Sequence, residues 1–180
     1  MKKRLLSVFM CLCMMLTMVP AALAAGTTGT AAPATEDEGE TSGNQITAST
    51  TTLITGSYVL ESDVTLTSGA LKVEANNEVT LNLNGKKLTN QAGANTIEVA
   101  TGGTLTIEGP GTVDNVSHQK AAVNNSGTVV LNGGTYTRSQ EKGTSEEDSG
   151  SNSYYTILNH GTMTINEGVT VNQGANGAGK

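Results

Sequence analysis

A short phrase recurs along the chain and restricts what it can become. Leu81-Asn82-Leu83-Asn84-Gly85 returns as Leu105-Thr106-Ile107-Glu108-Gly109, as Val129-Val130-Leu131-Asn132-Gly133, and as Met163-Thr164-Ile165-Asn166-Glu167-Gly168. The first three copies start 24 residues apart and the fourth starts 34 residues after the third. The extra ten or so residues fall in the polar run Ser139 to Ser153. Each copy is an alternating apolar strand closed by a glycine turn, and a period of this length is the signature of a solenoid. A single unit cannot bury its own apolar face, so it must stack on its neighbours.

The later units share a second frame: Val99, Val123 and Ile157 each stand four residues before a Gly-Thr pair, at Gly103, Gly127 and Gly161. A third apolar position follows each turn, at Leu88, Val113, Tyr136 and either Val169 or Val171. No window holds a 3.6-residue periodicity long enough for a helix. Three short strands separated by Gly or Asn corners make one rung of a parallel β-helix. Alternation places Leu81, Leu83, Leu105, Ile107, Val129, Leu131, Met163 and Ile165 inward, and Thr80, Thr104, Thr128 and Thr162 outward. Asn84, Glu108, Asn132 and Asn166 form a corner column in which amides can stack. Gly85, Gly109 and Gly133 follow them, and Glu167 breaks that glycine column so that the last rung turns one residue later.

The first 24 residues read as a secretory signal peptide. Lys2, Lys3 and Arg4 precede the apolar run Leu5 to Val19, and Ala22-Leu23-Ala24 is a small-residue cleavage site. The run is 15 residues long, short of the ~20 that span a bilayer. A secreted or cell-surface product without membrane insertion is expected. Both cysteines, Cys11 and Cys13, leave with this segment, so disulfides and thiolate metal sites are excluded. Seven cations then face sixteen anions, a net charge of −9, which opposes binding to nucleic acid or anionic lipid. Residues 25–45, rich in Thr, Ala, Gly and acid, read as a disordered linker, and 46–180 as the β-helix.

The phrase Gly56-Ser57-Tyr58-Val59-Leu60-Glu61-Ser62-Asp63-Val64-Thr65-Leu66, followed by Val79-Thr80-Leu81-Asn82-Leu83-Asn84-Gly85, resembles the opening rungs of bacterial secreted and surface proteins of the pectate-lyase-like superfamily. The resemblance spans about residues 53 to 175 and departs from the family phrase at Asn82, where aspartate is common. It implies an all-β, right-handed parallel β-helix of four to five short rungs. The sequence reaches Lys180 shortly after a strand with no visible capping segment. The last rung is then capped by the Gly-Ala tail, covered by a partner (end-to-end self-association included), or continued in a longer protein, the third being the preferred reading.

Catalysis in such a fold needs a basic residue to abstract a proton, often beside calcium, or a pair of acids. Among the cations beyond the signal only Lys86 and Lys87 are adjacent, His118 and His160 lie in corners of different rungs, and no paired-Asp motif sits on an expected strand. No catalytic, cofactor or metal site is therefore expected. Contact with carbohydrate or a cell-surface component is assigned to the inserted loop and its flank: Glu146, Glu147, Asp148 and the sugar-stacking candidate Tyr154, with Tyr155 either exposed or inward in phase with Ile157. The expected role is an adhesin-like scaffold. A polysaccharide lyase or hydrolase, or a remnant of one, is the alternative. An ice-binding threonine array, prompted by Thr104, Thr106, Thr162 and Thr164, is a third, interrupted by Asn82 and Val130.

Overall fold

The computed structural model describes residues 43–117, 119–140 and 155–172. The expected signal peptide and nearly all of the expected linker lie outside the described residues, as do His118, Glu146, Glu147, Asp148 and Tyr154. A leading strand, β1 (Asn44–Gln45), starts the stack just ahead of the expected residue 46. Five coils of three strands follow. The first holds β2 (Thr52–Leu53), β3 (Gly56–Val59) and β4 (Val64–Leu66), and the second β5 (Leu71–Val73), β6 (Glu78–Asn82) and β7 (Lys87–Asn90). The third holds β8 (Ile97–Val99), β9 (Thr104–Glu108) and β10 (Thr112–Asn115). The fourth holds β11 (Val123–Asn125), β12 (Thr128–Leu131) and β13 (Thr135–Thr137), and the fifth β14 (Ile157–Asn159), β15 (Thr162–Ile165) and β16 (Thr170–Val171).

From β2 onward every strand pairs in parallel with the strand three places along, giving three sheets. Sheet A runs β1-β3-β6-β9-β12-β15, sheet B β2-β5-β8-β11-β14, and sheet C β4-β7-β10-β13-β16. The molecule is an all-β parallel β-helix, as the repeat demands. Its core is built from apolar columns running up the sheets: Val79, Leu105 and Val129 beside Leu81, Ile107 and Leu131 in sheet A, Leu71, Ile97 and Val123 beside Val73 and Val99 in sheet B, and Leu88, Val113 and Tyr136 in sheet C. Val171, not Val169, completes the last of these by pairing with Tyr136.

The inward set is buried from Leu81 to Leu131, while Met163 is half-buried and Ile165 is exposed because β15 is an edge strand. The 24-residue alignment holds between β9 and β12, where Leu105 pairs with Val129 and Ile107 with Leu131, but fails at two other places. Leu81 pairs with Ile107 and Val79 with Leu105, a 26-residue step. Likewise Val123 pairs with Ile97, and Val99 with Asn125. Both errors are slips of two residues, which preserve the side of the sheet a side chain faces; a slip of one would have reversed it. The second slip comes from corner length. Residues 100–103 turn the third coil from sheet B to sheet A, but only 126–127 turn the fourth. The tighter corner is sealed by Asn125, whose Oδ1 accepts the Gly127 N–H at 2.9 Å.

Two further corrections concern the corners. The amide column is Asn82, Glu108, Asn132, Asn166, since Asn82 pairs with Glu108; Asn166 Nδ2 donates to Asn132 Oδ1 at 2.6 Å. Asn84 instead donates to the Leu60 carbonyl. The left-handed glycine in the last two coils is Gly134 (φ 89°) and Gly168 (φ 87°), not Gly133. Gly133 still stacks over Gly109, Glu167 takes the next place in that column, and the last corner, residues 166–169, is one residue longer than the corner of the fourth coil, 132–134. The glycines of the Gly-Thr pairs are needed for another reason: a Cβ on Gly127 or Gly161 would strike the carbonyl of the glycine one coil below.

Candidate functional site

Coil length varies mainly at one edge. The corner from sheet C to sheet B takes four residues after β4, six after β7, seven after β10 and nineteen after β13. The other two corners take two to four residues in every coil. The longest corners thus lie along one edge of the stack, where solenoids place recognition. The expected insertion falls between β13 and β14, and its residues 141–153 lie outside the described residues.

The edge rests on polar groups inside the coil. Asn90 and Asn115 pair across β7 and β10, and both are fully buried. Asn90 Nδ2 donates to the Gly69 and Asn95 carbonyls, while its Oδ1 accepts the Ala92 N–H. Asn115 Nδ2 donates to the carbonyls of Ala94 and Ala121 and to Thr96 Oγ1, and its Oδ1 accepts the Ser117 N–H. Each amide thereby satisfies loop groups that no strand can reach. Arg138, 1 % exposed, follows in the next coil and donates from Nε to the Lys120 carbonyl at 2.8 Å. These residues carry no repeat signature visible at 24-residue spacing; Asn90 and Asn115 lie 25 apart, in step with sheet C alone.

On the outer side, the buried carboxylate of Asp114 holds the base of the insertion. It accepts the Ser139 N–H at 2.9 Å and the Ser139 hydroxyl at 2.5 Å, and pairs with Lys87 Nζ at 2.7 Å. Lys87 is therefore engaged as a cation. Lys86, in the preceding corner, donates its backbone N–H to the Leu83 carbonyl. His160 is exposed in the two-residue corner between β14 and β15, on a different face of the coil from the insertion.

An open pocket of about 230 Å³ is lined by Asn95, Gln119, Lys120, Ala121, Tyr155 and Leu158. Tyr155 is 59 % exposed, which settles its orientation in favour of solvent. Gln119 sits at φ 64°, a left-handed conformation uncommon for a residue with a long side chain. Asn95 ties the wall together: its Oδ1 accepts the Ala121 N–H, and its Nδ2 donates to Glu98 Oε1. A second cavity, about 250 Å³, lies on the outer face of sheet B over Lys72, Glu98 and Asn124, which are successive partners in β5, β8 and β11. Leu158 pairs with Asn124, so the same row of side chains enters both cavities. The sequence singled out neither Gln119, Lys120 nor Asn95. Among the described residues no cluster of three or more His, Cys, Asp or Glu side chains is placed to hold a metal ion.

Comparison with protein-family models, with curated proteins and with solved structures returns no match for this chain. What is shown is the architecture: parallel strands stacked in three sheets, with one irregular edge.

Proposed function

We propose that this chain is a secreted or cell-surface β-helix scaffold, adhesin-like, that displays a carbohydrate-recognition edge and carries out no catalysis of its own. The observation that carries the reading is the pocket beside the insertion. It combines an exposed tyrosine ring, an adjacent leucine, and amide and ammonium groups that can hydrogen-bond hydroxyls. Its walls are backbone-anchored through Asn95 and Arg138, so the groups are held in place before a ligand arrives. The pectate-lyase-like resemblance belongs to the same reading, because secreted and surface proteins of that kind work on or beside polysaccharide.

The test is a glycan array probed with the secreted chain and with Tyr155→Ala. A sugar-binding edge gives a set of hits that Tyr155→Ala weakens about tenfold, matching a lost stacking contact of about 1.4 kcal/mol. An array without hits rejects the reading. A polygalacturonate cleavage assay, with and without calcium, is run beside it. Turnover that disappears in Lys86→Ala or Lys87→Ala would replace the scaffold with a lyase. N-terminal sequencing of the exported product should begin at Ala25.

A further inference from the structure

The tripeptide Leu-Asn-Gly occurs twice in the stack, at Leu83-Asn84-Gly85 and at Leu131-Asn132-Gly133. Both leucines are fully buried, and both asparagines are exposed in the corner that leads from sheet A to sheet C. In an Asn-Gly step the glycine nitrogen can reach the asparagine Cγ, because no Cβ stands in the way. The local sequence is the same, but the surroundings are opposite. At the first step the Gly85 N–H donates to the Pro110 carbonyl at 2.7 Å, and Asn84 Nδ2 donates to the Leu60 carbonyl at 3.1 Å. The nitrogen that would attack and the nitrogen that would leave are thus both tied to neighbouring coils. At the second step, among the described residues, no acceptor meets the Gly133 N–H or Asn132 Nδ2. The Asn132 amide is held by its other atom, with Oδ1 accepting Asn166 Nδ2 at 2.6 Å.

We propose that Asn132 is a deamidation site of the folded chain, activated by Asn166, and that Asn84 is protected. Once the Gly133 N–H has lost its proton to hydroxide, the nitrogen attacks Asn132 Cγ and a new C–N bond forms. Negative charge develops on Oδ1, where the Asn166 amide already donates. The Cγ–Nδ2 bond then breaks, and the departing nitrogen takes a proton from water and leaves as ammonia. One water molecule opens the resulting succinimide at either carbonyl, giving aspartate or isoaspartate. Nothing is oxidised or reduced: one water is consumed and one ammonia released. The product alters the corner. Asn132 follows Leu131, the partner of Ile107, so the new carboxylate stands over Glu108 at about the 4.8 Å strand spacing, and like charges so placed repel. Isoaspartate also lengthens the main chain of the corner 132–134, whose Gly133 carbonyl accepts the Tyr136 hydroxyl.

Peptide mapping of the purified chain, held at mildly alkaline pH, tests this. Trypsin places Asn132 in peptide 121–138 and Asn84 in peptide 73–86, so the exchange of amide for acid is read separately at each. Conversion at Asn132 is expected to be at least about tenfold faster than at Asn84, to rise with pH and to yield isoaspartate beside aspartate. In urea, where neither tripeptide has a fold around it, the two rates should converge. Asn166→Ala should slow conversion at Asn132 about fivefold, the equivalent of about 1 kcal/mol, with an unchanged circular dichroism spectrum. Asn166→Asp, which keeps the size and removes the donor, should slow it at least as much. Equal rates at the two steps of the folded chain, a faster Asn84, or a difference that persists in urea would overturn the site. A rate at Asn132 that is unchanged or raised in both Asn166 variants would overturn the role given to Asn166.

Discussion

At the residue scale, the side chains that matter most are polar ones in apolar positions. Tyr136 occupies the core column of sheet C between Val113 and Val171, fully buried, and donates its hydroxyl to the Gly133 carbonyl at 3.1 Å. Burial pushes its phenol well above the ordinary value near 10. The unfolded phenol ionises first as pH rises, so the contribution of Tyr136 to stability is complete below about pH 10 and is lost progressively above it. Tyr136→Phe should lower stability at neutral pH by about 1 kcal/mol, for the lost hydrogen bond. It should also flatten the loss of stability above pH 10 relative to the parent chain. Urea melts of both proteins across the alkaline range measure this, and parallel curves would contradict it. Asp114 illustrates the same rule in a charged group. Its carboxylate is tolerated inside the wall because Lys87 and both Ser139 donors reach it.

At the element scale, strands follow from alternation and corners from chemistry that alternation does not see. Every inward residue named from Leu81 to Leu131 is buried, because facing depends only on parity along a strand. Pairing between coils depends on how many residues each corner consumes, and the constant 24-residue spacing concealed a four-residue corner in one coil and a two-residue corner in the next. The candidate site was legible only as an edge. The insertion announced where the loops gather, but Gln119, Lys120 and Asn95 belong to neighbouring corners and meet Tyr155 only after stacking. The asparagines that support them look like ordinary loop residues until their carbonyl partners are known. The register is open to test. Ile107 lies between Leu81 and Leu131, all fully buried, whereas Thr106 points outward between Thr80 and Val130. Ile107→Asp should cost more than about 4 kcal/mol and unfold several coils together. Thr106→Asp should stay within about 0.5 kcal/mol of the parent. Thermal melts of the two variants that coincide would refute the assigned faces.

At the scale of the whole molecule, a regular three-sheet stack carries its irregularity along a single edge, and stability and recognition should therefore be separable. The corner between β13 and β14 spans nineteen residues, and removing Gln140 to Asn152 would leave six, the length that already joins β7 to β8. Ser139 stays in the shortened chain, so its two hydrogen bonds to Asp114 and the Lys87 pair beneath them remain. Loop-closure entropy changes slowly with length, about 0.6 kcal/mol per doubling, so the shortened corner should stabilise the fold by about 1 kcal/mol. The deletion variant is expected to keep its strand-rich circular dichroism spectrum and to melt at or slightly above the temperature of the parent. Its glycan signal should fall below that of the parent, since the expected contact residues Glu146, Glu147 and Asp148 go with the deleted segment. A deletion that lowers the melting temperature would place the insertion in the stability of the stack. One that leaves both melting and binding unchanged would move recognition elsewhere, with the row Lys72, Glu98 and Asn124 on sheet B the next surface to mutate.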